Sequence, residues 1–459
     1  MKNGLFIFRR DLRIEDNIGL ALASKKCDKL YCCFIFTPEQ ITSQNQYKSD
    51  TAVQFMIESL QDLSASLTAK GGELLCFYGE NTTILKVLIK QLEIGCIFFN
   101  RDYTPYARNR DASIQEICDK LGVECQLFED YYLYQPETVF SGSGNIYKKF
   151  KPFYDKVLPL DIPKVGEERV RNGCFLRTSR KLDRRLSLRD AINRFLPKHL
   201  DSVVVEGGRK NGLRQLAMAR TSQRGYKNTR DIFAINTSLL SPHLKFGTIS
   251  VREVYWMFRN EFGKSSEILR QLIWREFYAH ILYGEPGMIN PRKNNSHGIK
   301  WNQNRRWFKL WCEGRTGFPI VDAAMRQLNQ TGWMHNRGRL VVAVFLTKVL
   351  LIDWRWGEQY FATKLVDYDI ASNNGNWQWV ASTGADNMPY FRTMNPWTQA
   401  REHDPECKYI KKWIPELREI PIDQVLKWDE KWDANIYLRP IVDFSEQRLK
   451  SLALYKKYL

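Results

Sequence analysis

The run "ASNNGNWQWVAS", residues 371–382, sets Trp377 and Trp379 one residue apart, just after the adjacent amides Asn373 and Asn374. Indoles are large apolar rings that oxidise easily, whereas amides supply fixed donors and acceptors, and a core normally takes one or the other. Together they point to a flat, polar-edged, redox-active ligand. A second cluster, "TGWMHNRGRL" at 331–340, holds His335, Asn336, Arg337 and Arg339 within five residues. On a helix these side chains cover more than one face, so they cannot all point to solvent. Arg339 can pair with Asp367 or Asp369, and a buried Arg–Asp pair beside a redox ring would steady an anionic reduced state; a structural ion pair explains the same residues. A lone His335 reads first as a hydrogen-bonded core histidine, and no Cys or His spacing suits a metal. In "NTSLLS", 236–241, the hydroxyls of Thr237, Ser238 and Ser241 precede a helical run; they either cap it or share its free N–H groups with a phosphate. Trp301 and Trp354 pack a core or relay electrons, and sequence alone gives no spacing between them.

Two kinds of element must position these residues. The first part alternates short apolar runs ("GLFIF", "LYCCFIF", "ELLCFYG", "GCIFF", "VECQLF") with amphipathic segments such as 51–68 and 82–92. Five strands separated by helices predict a doubly wound parallel sheet, α/β in class, closing near residue 130. It lacks a G-x-G-x-x-G, so no dinucleotide is expected there. A less regular stretch follows over 131–204 with the basic run "RTSRKLDRRLSLR", a solvated linker face or a phosphate contact. From about 205 the pattern is helical. All fourteen tryptophans lie between Trp256 and Trp432, which marks the change of domain.

A chain of 459 residues is long enough for two or three domains. Its net charge of +18 favours a polyanionic partner, nucleic acid before an anionic membrane surface. No stretch approaches the length of a membrane span, and the start "MKNGLFIFRRDLR" is too quickly charged for a signal peptide. Ten cysteines without a C-x-x-C pair read as buried free thiols in a reducing compartment.

Several segments closely resemble the photolyase/cryptochrome family over essentially the whole chain. "FRRDLRIEDN" at 8–17 is similar to its N-terminal signature; "LIWREFY", "RTGFPIVDAAMRQLNQTGWMHNR" and "DYDIASNNGNWQWVASTGADNMPYF" are similar to its C-terminal ones. The helical half is most similar to class I cyclobutane pyrimidine dimer photolyases. The resemblance implies a Rossmann-like α/β antenna domain over 1–130, a linker over 131–204 and an all-α FAD-binding catalytic domain over 205–459. It further implies light-driven repair of ultraviolet-damaged DNA by a monomeric intracellular enzyme, cytoplasmic or nuclear, with no membrane partner.

By the same resemblance, Asn373 lies near the flavin N5 and favours the fully reduced anionic flavin. Trp377 begins an electron chain that continues through Trp354 to Trp301. Trp274 and Trp379 flank the flipped-out lesion, with Gln271 and Asn336 completing the catalytic pocket. Tyr226, Thr237, Ser238, Leu239, Leu240 and Ser241 match FAD-phosphate positions, and Trp333, Arg339, Asp367 and Asp369 match other cofactor-binding ones. Arg275 is expected at the cofactor or the lesion; Tyr278, Arg337 and Arg392 are expected on the DNA-binding surface. Three departures stand out. Gln271 replaces the glutamate usual in the cyclobutane class and is what six-four photolyases and animal cryptochromes tend to have. Asn336 and Leu340 fill the positions of the two six-four histidines, and Leu340 also replaces the cyclobutane class's methionine. In the antenna domain "NRDYTPYARNRD" resembles deazaflavin-type branches and carries Tyr106 and Ala107 where the folate type has Asn-Glu, so the second chromophore (deazaflavin, folate or flavin) stays open. The alternatives are a six-four photolyase, disfavoured by the missing histidines, and a cryptochrome-like photoreceptor, disfavoured by the expected absence of a long tail.

Overall fold

Five apolar runs become five parallel strands, four of them buried on both faces and the last, an edge strand, only partly covered: β1 (Asn3–Phe8), β2 (Leu30–Phe36), β3 (Leu74–Tyr78), β4 (Ile94–Asn100) and β5 (Glu124–Phe128). The computed structural model describes residues 3–196, 198–289 and 298–458. The sheet order is β3-β2-β1-β4-β5, with Phe6 in register with both Cys32 and Phe98. Helices α1 (Ile18–Lys26), α2 (Asp50–Ala69), α3 (Asn81–Gln91) and α4 (Pro105–Leu121) make the crossovers. The expected doubly wound sheet is therefore present.

Strand order reverses between β1 and β4, where open α/β sheets commonly bind ligands. Here the ends of those strands are filled by the protein's own side chains. Asn100 donates to Asp11 at 2.6 Å and to Asn17 at 2.9 Å, and Arg13 donates to Asp130 at 2.6 Å. Burial pushes the Asp11 carboxyl up to about 6. Arg252 reaches both Asp16, at 3.0 Å, and Asp130, at 2.7 Å, tying a helix of the later sequence to the signature at 8–17.

The basic run of the linker is largely solvent-exposed, as a solvated face would be, but two of its arginines, with Arg171 just before it, also bind helix ends. Arg171 donates to the carbonyls of Ser24, Cys27 and Asp28 at the end of α1, and Arg177 to those of Thr68 and Gly72 at the end of α2. Arg180 donates to the Gln91 carbonyl that ends α3. Helix C-termini leave carbonyls unpaired and carry partial negative charge, so three arginines in sequence strap three helix ends. Backbone bonds from Leu30 N to the Cys174 carbonyl and from Leu176 N to the Leu30 carbonyl hold the strap to the start of β2.

By contacts the chain forms two compact units. One comprises Met1–Asp201, Val205–Arg224 and Ser238–Pro286; the other comprises Ser202–Val204, Gly225–Thr237 and Gly287–Leu459. Helix α5 (Glu267–Gly284) thus groups with the sheet, where Glu276 accepts from Leu133 N at 2.7 Å. The second unit is helical and includes α6 (Asn336–Val344), α7 (Trp354–Lys364), α8 (Ile370–Val380) and α9 (Phe444–Tyr458). Its core is tryptophan-rich, with Trp311, Trp354, Trp377, Trp397, Trp413 and Trp428 in one cluster. All ten cysteines are free, and all but Cys125 and Cys312 are buried. Among the described residues no helix is long and apolar enough to cross a membrane, and no His/Cys/Asp/Glu group could hold a metal.

Candidate functional site

In the helical unit, α6 and α8 line an open pocket of about 120 Å³ that includes Asn336, Arg339, Asp367, Asn373 and Trp377. His335 caps α6: its Nδ1 accepts from Arg337 N at 3.1 Å. The ring is buried, which pushes its pKa down to about 4, and Nε2 meets no partner among the described residues. The histidine is therefore the neutral core residue its context suggested. Arg339 pairs with Asp367 rather than Asp369, Nη2 to Oδ2 at 2.9 Å, while its Nε donates to the Met334 carbonyl. Asp369 caps α8 by accepting from Ser372 N at 3.1 Å.

The opening motif is held by two neighbouring residues of α7. Glu358 takes both hydrogens of the Asn373 amide, through its carbonyl at 3.1 Å and Oε1 at 2.9 Å. Asn373 therefore presents only its oxygen to the pocket it lines, an acceptor and not a donor. Beside Glu358, Gly357 lets α7 approach the Trp377 ring; a Cβ there would lie 2.2 Å from Trp377 Cη2. Phe361 and Trp311 complete the packing around that ring, at 5.0 and 6.2 Å between centroids. Sequence reasoning missed Glu358, Gly357 and Trp311. A glycine and an acid in adjacent places within "RWGEQYF", an otherwise aromatic helix, were the available signal.

Trp377 and Trp354 are buried, and Trp301 is half-buried with its ring 6.1 Å from Tyr455. Trp301 is the most exposed of the three, while Trp377 and Trp354 are equally deep. Trp333 is buried close to His335. Trp379 is half-buried, Asn336 and Arg392 are exposed, and Leu340 is half-buried on the pocket wall. Arg337, half-buried, binds Asp231 at 2.7 Å, so any phosphate would compete with that carboxylate.

In the sheet's unit, α5 carries Gln271, Trp274, Arg275 and Tyr278. Gln271 is exposed, and its amide donates to the Glu267 carbonyl one turn back. Trp274 stacks on Phe150 with centroids 3.6 Å apart and planes 3° from parallel, so one face of the indole is covered. Arg275 donates to Glu276 at 2.6 Å and to the Tyr131 carbonyl at 2.9 Å, a tie within the unit. Tyr278, expected on the DNA surface, is buried with its ring 5.8 Å from Trp274; it supports that indole instead. Of the phosphate candidates, Tyr226 opens a four-residue helix and Thr237 also falls in the helical unit. Ser238, Leu239, Leu240 and Ser241 fall in the sheet's unit. The helix beginning at Ser241 has Leu240 as its N-cap, which offers no side-chain acceptor, so the hydroxyls do not cap it. The Ser238 carbonyl accepts from Gln215, and Leu239 adopts φ +52°.

The pocket's donor set fits the polar edge of a flavin: an acceptor at Asn373, a fixed guanidinium at Arg339 and a buried indole one turn beyond. A parallel-sheet domain and a tryptophan-rich helical unit with a polar pocket make up a two-domain α/β plus all-α protein. The model of the FAD binding domain of DNA photolyase matches residues 268–457, and that of DNA photolyase matches residues 5–167. The deoxyribodipyrimidine photo-lyase of Salmonella typhimurium is 36% identical over 99% of both chains. Among solved structures, the archaeal photolyase from Sulfolobus tokodaii with two FAD molecules is 40% identical, with TM-score 0.87 over 99% of this chain and 100% of that one. The class III photolyase from Agrobacterium tumefaciens is 31% identical, with TM-score 0.90 over 100% and 98%. The chain belongs to the DNA photolyase family.

Proposed function

We propose that this protein is a light-driven DNA repair enzyme that splits cyclobutane pyrimidine dimers with FAD held in the helical unit. The observation that carries the reading is the end-to-end similarity to a deoxyribodipyrimidine photo-lyase, together with Asn373 and Trp377 held side by side by α7. When bound and reduced, FAD supplies the photoexcited electron that enters the lesion. The chain's own residues do the rest. Arg339, fixed by Asp367, and the Asn373 oxygen orient the cofactor's polar edge; Trp377, Trp354 and Trp301 carry electrons inward to reduce it. Trp379 and the open face of Trp274 offer stacking surfaces for an extruded pyrimidine pair. Gln271 donates from its amide to a pyrimidine carbonyl as negative charge develops there, which is electrostatic catalysis without a titrating acid. Arg392, with Arg337, meets phosphates of the damaged strand.

Ultraviolet-damaged DNA inside the cell is the partner, and one chain is the working unit. The Sulfolobus relative's two FAD molecules favour a flavin as the second chromophore in the sheet domain. Illumination of reduced, FAD-loaded protein with oligonucleotides carrying either lesion tests the reading. Dimer repair is expected, with six-four lesions untouched because Asn336 and Leu340 supply no acid. Gln271→Glu raises the repair yield and makes it pH-dependent. Six-four repair by the wild type, or no dimer repair by either protein, overturns it. A flavin-to-protein ratio near one rather than two removes the second flavin.

A further inference from the structure

Lys348 is a fully buried lysine whose ammonium makes its bonds to neutral oxygens of one loop. It donates to Ser382 Oγ at 2.9 Å and to the carbonyls of Pro389, Tyr390 and Arg392 at 3.2, 3.4 and 3.2 Å. The Tyr455 ring of α9 lies 5.4 Å from the ammonium. Burying a lysine without a carboxylate is costly, and such costs tend to be kept where function needs them. A second feature converges on the same residue. Directly after α6 the backbone widens into a π-turn over Phe345–Val349, with Leu350 N bonded to the Phe345 carbonyl. π-Bulges re-aim side chains and gather at functional sites. The loop itself has little regular structure to fix it. Ser382 and Asp386 adopt φ +61° and +49°, and the amides of Ser382 and Met388 both bond the Trp379 carbonyl. Its outer end presents Phe391 and Arg392 to solvent.

We propose that Lys348 is a positioning residue for DNA recognition: aimed by the π-turn, it fixes the 382–392 loop, and through that loop the Arg392 side chain. The inference rests on the reading of Arg392 as a phosphate contact. Four acceptors spread from Ser382 to Arg392 close the loop onto one point, so losing the ammonium frees both of its ends at once. The ammonium also sits near the Arg392 guanidinium; burial first and that like charge second push Lys348 down to about 7.

The test uses FAD-loaded full-length protein and four variants: Lys348→Met, Lys348→Arg, Arg392→Ala, and the double variant Lys348→Met with Arg392→Ala. Lys348→Met is expected to keep its FAD, to speed amide hydrogen exchange within 382–392 alone, and to weaken binding of dimer-containing duplex about tenfold. Lys348→Arg restores part of that affinity. The double variant binds no more weakly than Arg392→Ala, because both act through one contact. Wild-type affinity and loop exchange in Lys348→Met overturn the proposal, as do fully additive losses in the double variant. If Arg392→Ala binds like wild type, the phosphate reading of Arg392 fails, while loop exchange still decides whether Lys348 holds the loop. Should Lys348→Met not fold, Ser382→Ala removes one acceptor without uncovering a charge; it too must speed exchange in 382–392, and unchanged exchange there rejects the clamp.

Discussion

In residues 8–17 each charged side chain ends on a partner within its own unit. Arg9 meets Asp111, Arg10 meets Asp102, Asp11 meets Asn100, Arg13 meets Asp130, Glu15 meets Arg209 and Asp16 meets Arg252. In residues 367–377 the polar groups are fixed just as firmly but are not used up. Asp367 holds Arg339 and Asp369 caps α8, while Asn373 has its nitrogen occupied by Glu358 and keeps its oxygen for the pocket. Both stretches are strong family signatures. The first is architecture, and the second is a site whose orientation is set by its neighbours. A signature therefore marks constraint, and only the end point of each hydrogen bond tells which kind.

The comparison breaks if the first region proves dispensable for folding. Arg13→Ala leaves buried carboxylate charge poorly compensated and should cost roughly 3–5 kcal/mol of stability. Chemical unfolding measures it, with flavin content per folded molecule unchanged; a near-neutral variant removes the contrast. The two units that hold these regions should nevertheless respond alike to acid, since each buries a neutral histidine. Burial holds His280 in the sheet's unit and His335 in the helical unit down at about 4, against an ordinary value near 6.5. Below about pH 6.5 the unfolded chain takes protons that the folded chain refuses. Stability is therefore intact above that pH and falls toward pH 4, by up to roughly 3 kcal/mol for each ring. His280→Asn and His335→Asn should each flatten the acid limb of a stability–pH curve, and unaltered limbs reject the assignment.

Smaller effects sharpen the second region. Gly357→Ala drives a methyl into the Trp377 ring and should cost about 2 kcal/mol. It should also displace the Asn373 partner on the next residue, seen as a changed flavin spectrum in the folded fraction. Trp377→Phe keeps an aromatic ring but leaves a small cavity in this buried site, and should cost on the order of 1 kcal/mol. Its photoreduction under blue light with an external reductant should slow at least about tenfold, a barrier change near 1.4 kcal/mol. Repair by pre-reduced enzyme should change little, because repair sends an electron outward to the lesion. Equal photoreduction in both proteins excludes Trp377 from the relay.

Much of the fold was legible because period and burial agree: five apolar runs of five to seven residues became five strands, and 51–68 and 82–92 became α2 and α3. Arg339 with Asp367 was legible as one of two pairings, since only long-range geometry separates Asp367 from Asp369. Three things were not legible. The role of Arg171, Arg177 and Arg180 depends on where helices end, which no local pattern gives. The stacking of Trp274 on Phe150 joins residues far apart in sequence. The grip of Glu358 on Asn373 needs the packing of α7 on α8, which Gly357 permits but does not announce.

The arginine strap has a consequence for synthesis. Residues 3–128 contain all five strands, yet the ends of α1, α2 and α3 are completed only by residues 171–180, about fifty positions later in the chain. A nascent chain that has just finished β5 carries three helix C-termini without their arginine partners and a β2 start lacking its Cys174–Leu176 partner. The sheet therefore cannot complete its native contacts until residues 171–180 have emerged. It stays provisional until the later segment emerges and closes back over it, so that growth of the chain, and not the strand order alone, sets when the first domain becomes native.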